Sequence, residues 1–130
     1  MAANNLAGKE SSLLNIEIEE EPFMVTPLAY CPHLEEINAV TSKDQVDARR
    51  GCEKCNDSHE NWLCLHCYST QCSRFVKGHM LSHAEESGHA MTLSFSDLSV
   101  WCYKCDSYVH NSKLQRVKEL AYESKFGTKV

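Results

Sequence analysis

Cys64-Leu65-His66-Cys67-Tyr68-Ser69-Thr70-Gln71-Cys72, followed by Gly78-His79-Met80-Leu81-Ser82-His83, sets Cys64, Cys67, Cys72, His79 and His83 at metal-ligand spacing. Moving outward, Cys31, His33, Cys52 and Cys55 lie upstream, and His89, Cys102 and Cys105 lie downstream. Zinc takes four thiolate or imidazole ligands in a tetrahedron, so these twelve residues fill three closed sites. All 8 cysteines are then used. His59, His66 and His110 are left over and read as solvated or hydrogen-bonded side chains.

The pattern around the ligands predicts an α+β fold: a small zinc-stapled domain, a twisted antiparallel sheet with two or three helices, and three structural zinc sites. Residues 62–65 read as a strand entering a zinc knuckle. A helix over 77–86 puts His79 and His83 one turn apart on one face, and Gly88 suits its end. Residues 91–95 alternate apolar and polar, as a half-buried strand does. Residues 100–103 form a second aromatic strand into a knuckle, and 107–110 the return strand. A C-terminal helix over 112–125 places Leu114, Val117, Leu120 and Ala121 on one face. Ser112 is its expected N-cap and Gly127 its stop. Residues 38–51 read as a polar loop between two ligand pairs.

Residues 1–30 hold no cysteine or histidine and carry the acidic stretch Glu17-Ile18-Glu19-Glu20-Glu21. They are expected to be a flexible acidic tail, although the alternation from Leu14 to Glu19 also suits an edge strand or docking motif. The domain proper is expected over 31–127, with 128–130 as its end. With 42% hydrophobic residues, 8 of them cysteines, the apolar core is thin for 130 residues, and metal is one remedy.

The formal charge is −5, and counting eight thiolates and three zinc ions carries it to about −7. Such a balance disfavours nucleic acid, whose phosphates are bound by Lys and Arg. No apolar run approaches the length of a membrane span. No basic region followed by an apolar one opens the chain. CxxC pairs interleaved with histidines fit metal better than disulfides, so a reducing, intracellular compartment, cytoplasmic or nuclear, is expected.

Enzyme readings fail on particular residues. Zinc deaminases carry H-x-E followed by P-C-x-x-C. His33-Leu34-Glu35 and His83-Ala84-Glu85 match the first half, but Gly51, Leu63 and Trp101 precede the three CxxC pairs. HExxH is absent. A cysteine hydrolase needs a free thiolate beside a histidine base, and no cysteine is spare. Four ligands per site leave zinc no open position for catalysis.

Three runs together resemble one family. They are Glu60-Asn61-Trp62-Leu63-Cys64-Leu65-His66-Cys67-Tyr68, then Gly78-His79-Met80-Leu81-Ser82-His83 with Ser87-Gly88-His89, then Leu98-Ser99-Val100-Trp101-Cys102-Tyr103-Lys104-Cys105. They are similar to the ubiquitin-binding zinc finger of the UBP type, also called the PAZ or BUZ finger. Such fingers occur in ubiquitin-specific proteases and in the ubiquitin-binding class II histone deacetylase, whose version looks closest. The resemblance covers about residues 31–127. RING modules also cross-brace zinc, but with two ions and another ligand order.

The resemblance implies the ligand pairing: Cys31 and His33 with Cys102 and Cys105, Cys52 and Cys55 with Cys72 and His79, Cys64 and Cys67 with His83 and His89. It also implies a non-catalytic monomeric module that binds the free C-terminal diglycine tail of ubiquitin. Arg74 offers a planar fork for the terminal carboxylate. Trp62, Trp101, Tyr103 and Tyr108 would wall a slot that only glycine enters. Asp97 and Glu60 would meet the arginines preceding the glycines. Ser73 departs from the family's usual glycine at this place and brings a Cβ toward the slot. The alternative is a zinc scaffold of the same fold that binds a different C-terminal peptide or protein partner.

Overall fold

The structure, a computed structural model, describes residues 26–127. The acidic stretch from Glu17, the alternation from Leu14 and residues 128–130 lie outside the described residues. Five short strands form one antiparallel sheet: β1 (Asn61–Cys64), β2 (Thr70–Cys72), β3 (Met91–Ser94), β4 (Val100–Cys102) and β5 (Ser107–Tyr108). Their order across the sheet is β2-β1-β3-β4-β5. The helices are α1 (His79–Ser87), between β2 and β3, and α2 (Gln115–Phe126), after β5.

Strand alternation splits the sheet into two working faces. Leu63, Leu93 and Val100 share one cross-strand row and are almost wholly buried. They join Leu114, Val117, Leu120 and Ala121 of the C-terminal helical segment in a single apolar cluster with Leu34 and Val46. Each fully buried leucine contributes about 1.5–3 kcal/mol relative to exposure. The opposite face carries Trp62, Thr92, Trp101 and Tyr108, and positions the site described below.

Glycine sets the helix boundaries. Gly78 (φ 70°) and Gly88 (φ 80°) flank α1 in the left-handed conformation, and Gly127 (φ 74°) ends α2. The cap of the C-terminal helical segment is Asn111 and not Ser112. The Lys113 N–H donates to Asn111 Oδ1 at 2.9 Å, and Ser112 itself opens a 3-10 turn, Ser112–Leu114, leading into α2.

The sequence pattern missed β2, a three-residue strand with two polar members. Thr70 and Gln71 are nonetheless buried, because β2 pairs with β1 on one side and Glu53 closes its other edge. The 38–51 segment is more than a polar loop. Ser42 and Gln45 cap a 3-10 turn (Lys43–Gln45) reciprocally, and Val46 follows it into the core at 3% exposure. Leu28, expected within the N-terminal tail, pairs with the edge of β5. Its N–H donates to the Tyr108 carbonyl at 2.8 Å, and the His110 N–H donates to its carbonyl at 2.9 Å. Among the described residues no helix is long and apolar enough to cross a membrane.

Candidate functional site

The twelve cysteine and histidine donors converge in three groups, each with all ligand atoms within 4.8 Å of one another. Cys31, His33, Cys102 and Cys105 tie the first 3-10 turn (Pro32–Glu36) to the end of β4. Cys52, Cys55, Cys72 and His79 tie an upstream knuckle to β2 and the start of α1. Cys64, Cys67, His83 and His89 tie the β1–β2 turn to the second turn of α1 and the link into β3. The pairing implied by the resemblance is the one observed, and α1 serves two groups through His79 and His83.

The geometry fits zinc. Bonds of about 2.3 Å to sulfur and about 2.0 Å to nitrogen put tetrahedral ligand atoms about 3.3–3.8 Å apart. His33 Nδ1 lies 3.2 Å from Cys31 Sγ, 3.3 Å from Cys102 Sγ and 3.4 Å from Cys105 Sγ. His79 Nδ1 lies 3.5 Å from Cys52 Sγ and 3.3 Å from Cys72 Sγ. In the third group His83 Nε2 lies 3.4 Å from Cys67 Sγ and 3.2 Å from His89 Nδ1. Burial pushes the Cys64 thiol up to about 11 and the Cys102 thiol up to about 12. Burial also pushes the Cys52 thiol up, but the N–H groups of Lys54, Cys55 and Cys72 outweigh it and bring it to about 6. A divalent cation supplies the charge that lets such buried thiolates persist.

His66 supports the third group from behind. Its ring stacks on His89 with centroids 4.9 Å apart and planes 3° from parallel. The Met91 N–H donates to His66 Nε2 at 3.1 Å, which fixes the neutral ring with Nε2 as acceptor. His59 meets Asp57, and His110 meets Lys118.

A narrow cavity of about 90 Å³ opens on the other face of the sheet, lined by Trp62, Ser73, Arg74, Phe75, Trp101, Tyr103 and Tyr108. Register explains the convergence. Trp62 faces Ser94, Thr92 faces Trp101, and Trp101 faces Tyr108 across successive strands, so their side chains share one face. Trp101 and Tyr108 meet edge to face at 4.8 Å. The volume is far below the ~300–1,000 Å³ of drug-sized pockets, so the cavity suits a thin chain end. Among the described residues Trp62 Nε1 is buried and has no hydrogen-bond partner. Burial pushes the Tyr103 phenol up, with the Thr92 hydroxyl and the Arg74 charge pulling the other way. At neutral pH that phenol is a donor.

Six of the eight residues expected at a tail-binding slot meet here: Trp62, Ser73, Arg74, Trp101, Tyr103 and Tyr108. Asp97 and Glu60 lie outside it. Asp97 lines a neighbouring cavity that shares Tyr108, and its Oδ1 accepts from the Ser99 N–H at 3.1 Å and the Ser99 hydroxyl at 2.7 Å. The Glu60 carbonyl accepts the Ser73 N–H at 3.0 Å. Phe75 was missed. It is 73% exposed and stacks under Arg74, whose guanidinium carbon lies 5.0 Å from the ring centroid. An aromatic next to the arginine was the available signal. Ser73 is not among the residues with positive φ, and its hydroxyl accepts the Phe75 N–H at 3.1 Å. The serine therefore fits this backbone without left-handed strain.

Residues 52–114 match a family model, zf-UBP, described as a zinc finger in ubiquitin-hydrolases and other protein. The chain is 48% identical to histone deacetylase 6 of Caenorhabditis elegans over 115 residues, 87% of this chain and 12% of that protein. It is 32% identical to ubiquitin carboxyl-terminal hydrolase 44 of Ailuropoda melanoleuca over 82 residues, 62% of this chain and 12% of that one. The chain thus spans 12% of the length of each of these relatives. A crystal structure of an essential yeast splicing factor shares the fold, with a TM-score of 0.54 and 16% identity over 71% of this chain and 23% of that one.

Proposed function

Residues 52–114 belong to the zf-UBP family of zinc fingers, and on that premise we propose that this domain is a non-catalytic reader of the free C-terminal tail of ubiquitin. The observation that carries the reading is Arg74. Its guanidinium lines the aromatic slot, and among the described residues no carboxylate pairs with it. A terminal carboxylate completes that fork bidentately. The Tyr103 phenol is a further donor in the same walls.

The walls Trp62, Trp101 and Tyr108 admit a chain without side chains, which selects glycine at the end of the ligand. A lysine-linked ubiquitin has no terminal carboxylate, so binding it would bury Arg74 unpaired. The three zinc groups hold the parts of the slot in place. The second group joins Cys72 to His79, and the segment between them contributes Ser73, Arg74 and Phe75. The first group holds Cys102 between Trp101 and Tyr103.

Calorimetric titration of the zinc-loaded chain with a peptide ending in the ubiquitin tail, and with the same peptide amidated at its C-terminus, tests this. The acid form is expected to bind at least tenfold tighter. Equal affinities would remove the carboxylate from recognition.

A further inference from the structure

The eight cysteines differ in cover. Cys31, Cys52, Cys64, Cys72 and Cys102 are buried, Cys55 and Cys105 are half-buried, and Cys67 is exposed. The groups differ in composition as well. The first and second hold three sulfurs and one imidazole each, whereas Cys64, Cys67, His83 and His89 offer two and two. Thiolate is the softer and more strongly held zinc ligand, so the third group grips its ion least.

Within the third group, hydrogen bonding separates Cys67 from its partner Cys64. Cys64 Sγ accepts the His66 N–H at 3.4 Å, Cys52 Sγ accepts that of Lys54 at 3.4 Å, and Cys102 Sγ accepts that of Cys105 at 3.4 Å. Cys67 Sγ has the Ser69 hydroxyl at 3.4 Å and, among the described residues, no backbone N–H; half-buried Cys105 shares that lack, so exposure is what sets Cys67 apart. A thiolate that is open to solvent and shares little electron density with donors is the better nucleophile.

We propose that Cys67 is an oxidative modification site, at which peroxide-class oxidants attack the third group first and join Cys64 to Cys67. The Cys67 thiolate attacks one peroxide oxygen. An S–O bond forms, the O–O bond breaks, and the departing oxygen takes a proton from water. The Cys64 thiolate then attacks the Cys67 sulfur, the S–S bond forms, and hydroxide leaves. Two thiolates lose one electron each, the peroxide gains both, and the group keeps only His83 and His89 as ligands. The first and second groups remain intact, so α1 stays tied at His79 while its end at His83–His89 is released. Trp62, Arg74, Trp101 and Tyr103 are ligands of none of the groups. This inference depends on the zinc groups and not on what the slot binds.

The test uses the full zinc-loaded chain and hydrogen peroxide added in steps. Released zinc is followed with a chromogenic chelator, and cysteine states by alkylation and peptide mapping. The expected result is a plateau at one zinc per chain, with a Cys64–Cys67 disulfide as the first product. In a parallel arm, N-ethylmaleimide is expected to modify Cys67 before any other cysteine. Release of all three ions together, or first modification at Cys55 or Cys105, would overturn the proposal.

Discussion

Ser94 holds in the β3–β4 turn the place that Cys64 holds in the β1–β2 turn. The Cys64 N–H donates to the Ser69 carbonyl and the Tyr68 N–H to the Cys64 carbonyl; the Ser94 N–H donates to Ser99 and the Leu98 N–H to Ser94. Ser94 Oγ accepts the Ser96 N–H, as Cys64 Sγ accepts that of His66. Three positions on, Asp97 meets the Ser99 hydroxyl where Cys67 meets that of Ser69. Cys52 with Asn56 and Asp57 repeats the bonds, and Cys102 pairs with Ser107. The residue in fifth place is left-handed each time: Asn56 (φ 61°), Tyr68 (φ 62°), Leu98 (φ 62°) and Asp106 (φ 54°). Backbone bonding makes this turn, and cysteines at its first and fourth places make three of the four copies metal knuckles.

That shared conformation splits the sign of two glycine substitutions. Left-handed backbone costs a residue with a Cβ roughly 1–2 kcal/mol, less for Asp and Asn, and glycine almost nothing. Asp106 is exposed, so Asp106→Gly should be neutral or stabilising by up to about 1 kcal/mol. Tyr68 is 8% exposed and its hydroxyl donates to the Asn38 carbonyl. Tyr68→Gly should cost about 2–4 kcal/mol despite the relief. Denaturant unfolding of the zinc-loaded variants measures both, and equal effects would contradict the account.

The metal ligands and their neighbours were legible because Cys and His spacing is direct chemistry, and α2 was legible because four apolar residues repeat at helical period. The slot was legible only through resemblance. Its walls come from three strands, and only the register that sets Trp62, Trp101 and Tyr108 on one face reveals it. Thr70–Cys72 is too short and polar to announce a strand. Asp97 looked free to meet a cationic ligand because nothing in the sequence says that Ser99 occupies one of its oxygens.

Zinc removal should unfold the domain, since the core is small and the three groups tie β1, β2, β4, α1 and the first 3-10 turn together. Structural zinc binds its folded site with about 10–16 kcal/mol, comparable to the ~5–15 kcal/mol that holds a typical domain together. Circular dichroism of the chelator-treated chain is expected to lose its folded signal. An apo form with an unchanged spectrum would contradict this.

His66→Phe keeps a ring to stack on His89 but leaves the Met91 N–H buried without an acceptor. The cost should be about 1–3 kcal/mol. Burial pushes the His66 imidazole down, so the folded state holds the neutral ring. Its contribution is therefore complete above the ordinary imidazole value of about 6.5 and shrinks as pH falls below it. Melting curves at neutral and mildly acidic pH should show the gap between wild type and variant narrowing in acid. A constant gap would assign His66 no titrating role.

Arg74→Ala should weaken tail binding by at least a hundredfold with little change in melting temperature, because Arg74 is exposed and coordinates no metal. Arg74→Lys should recover only part of the affinity, since a point charge replaces a planar fork. Ser73→Gly should hold or raise affinity while costing about 0.5–1 kcal/mol for the lost bond to the Phe75 N–H. A weaker Ser73→Gly complex would mean that the serine-held turn, and not the slot width, sets recognition.

The most direct measurement is titration of the zinc-loaded chain with intact ubiquitin and with ubiquitin lacking its last two glycines. Micromolar or tighter binding to the intact protein alone is the predicted result, with the Arg74 fork filled by the terminal carboxylate. Binding to neither, or to both alike, would contradict a free-terminus reader and leave the slot to another ligand.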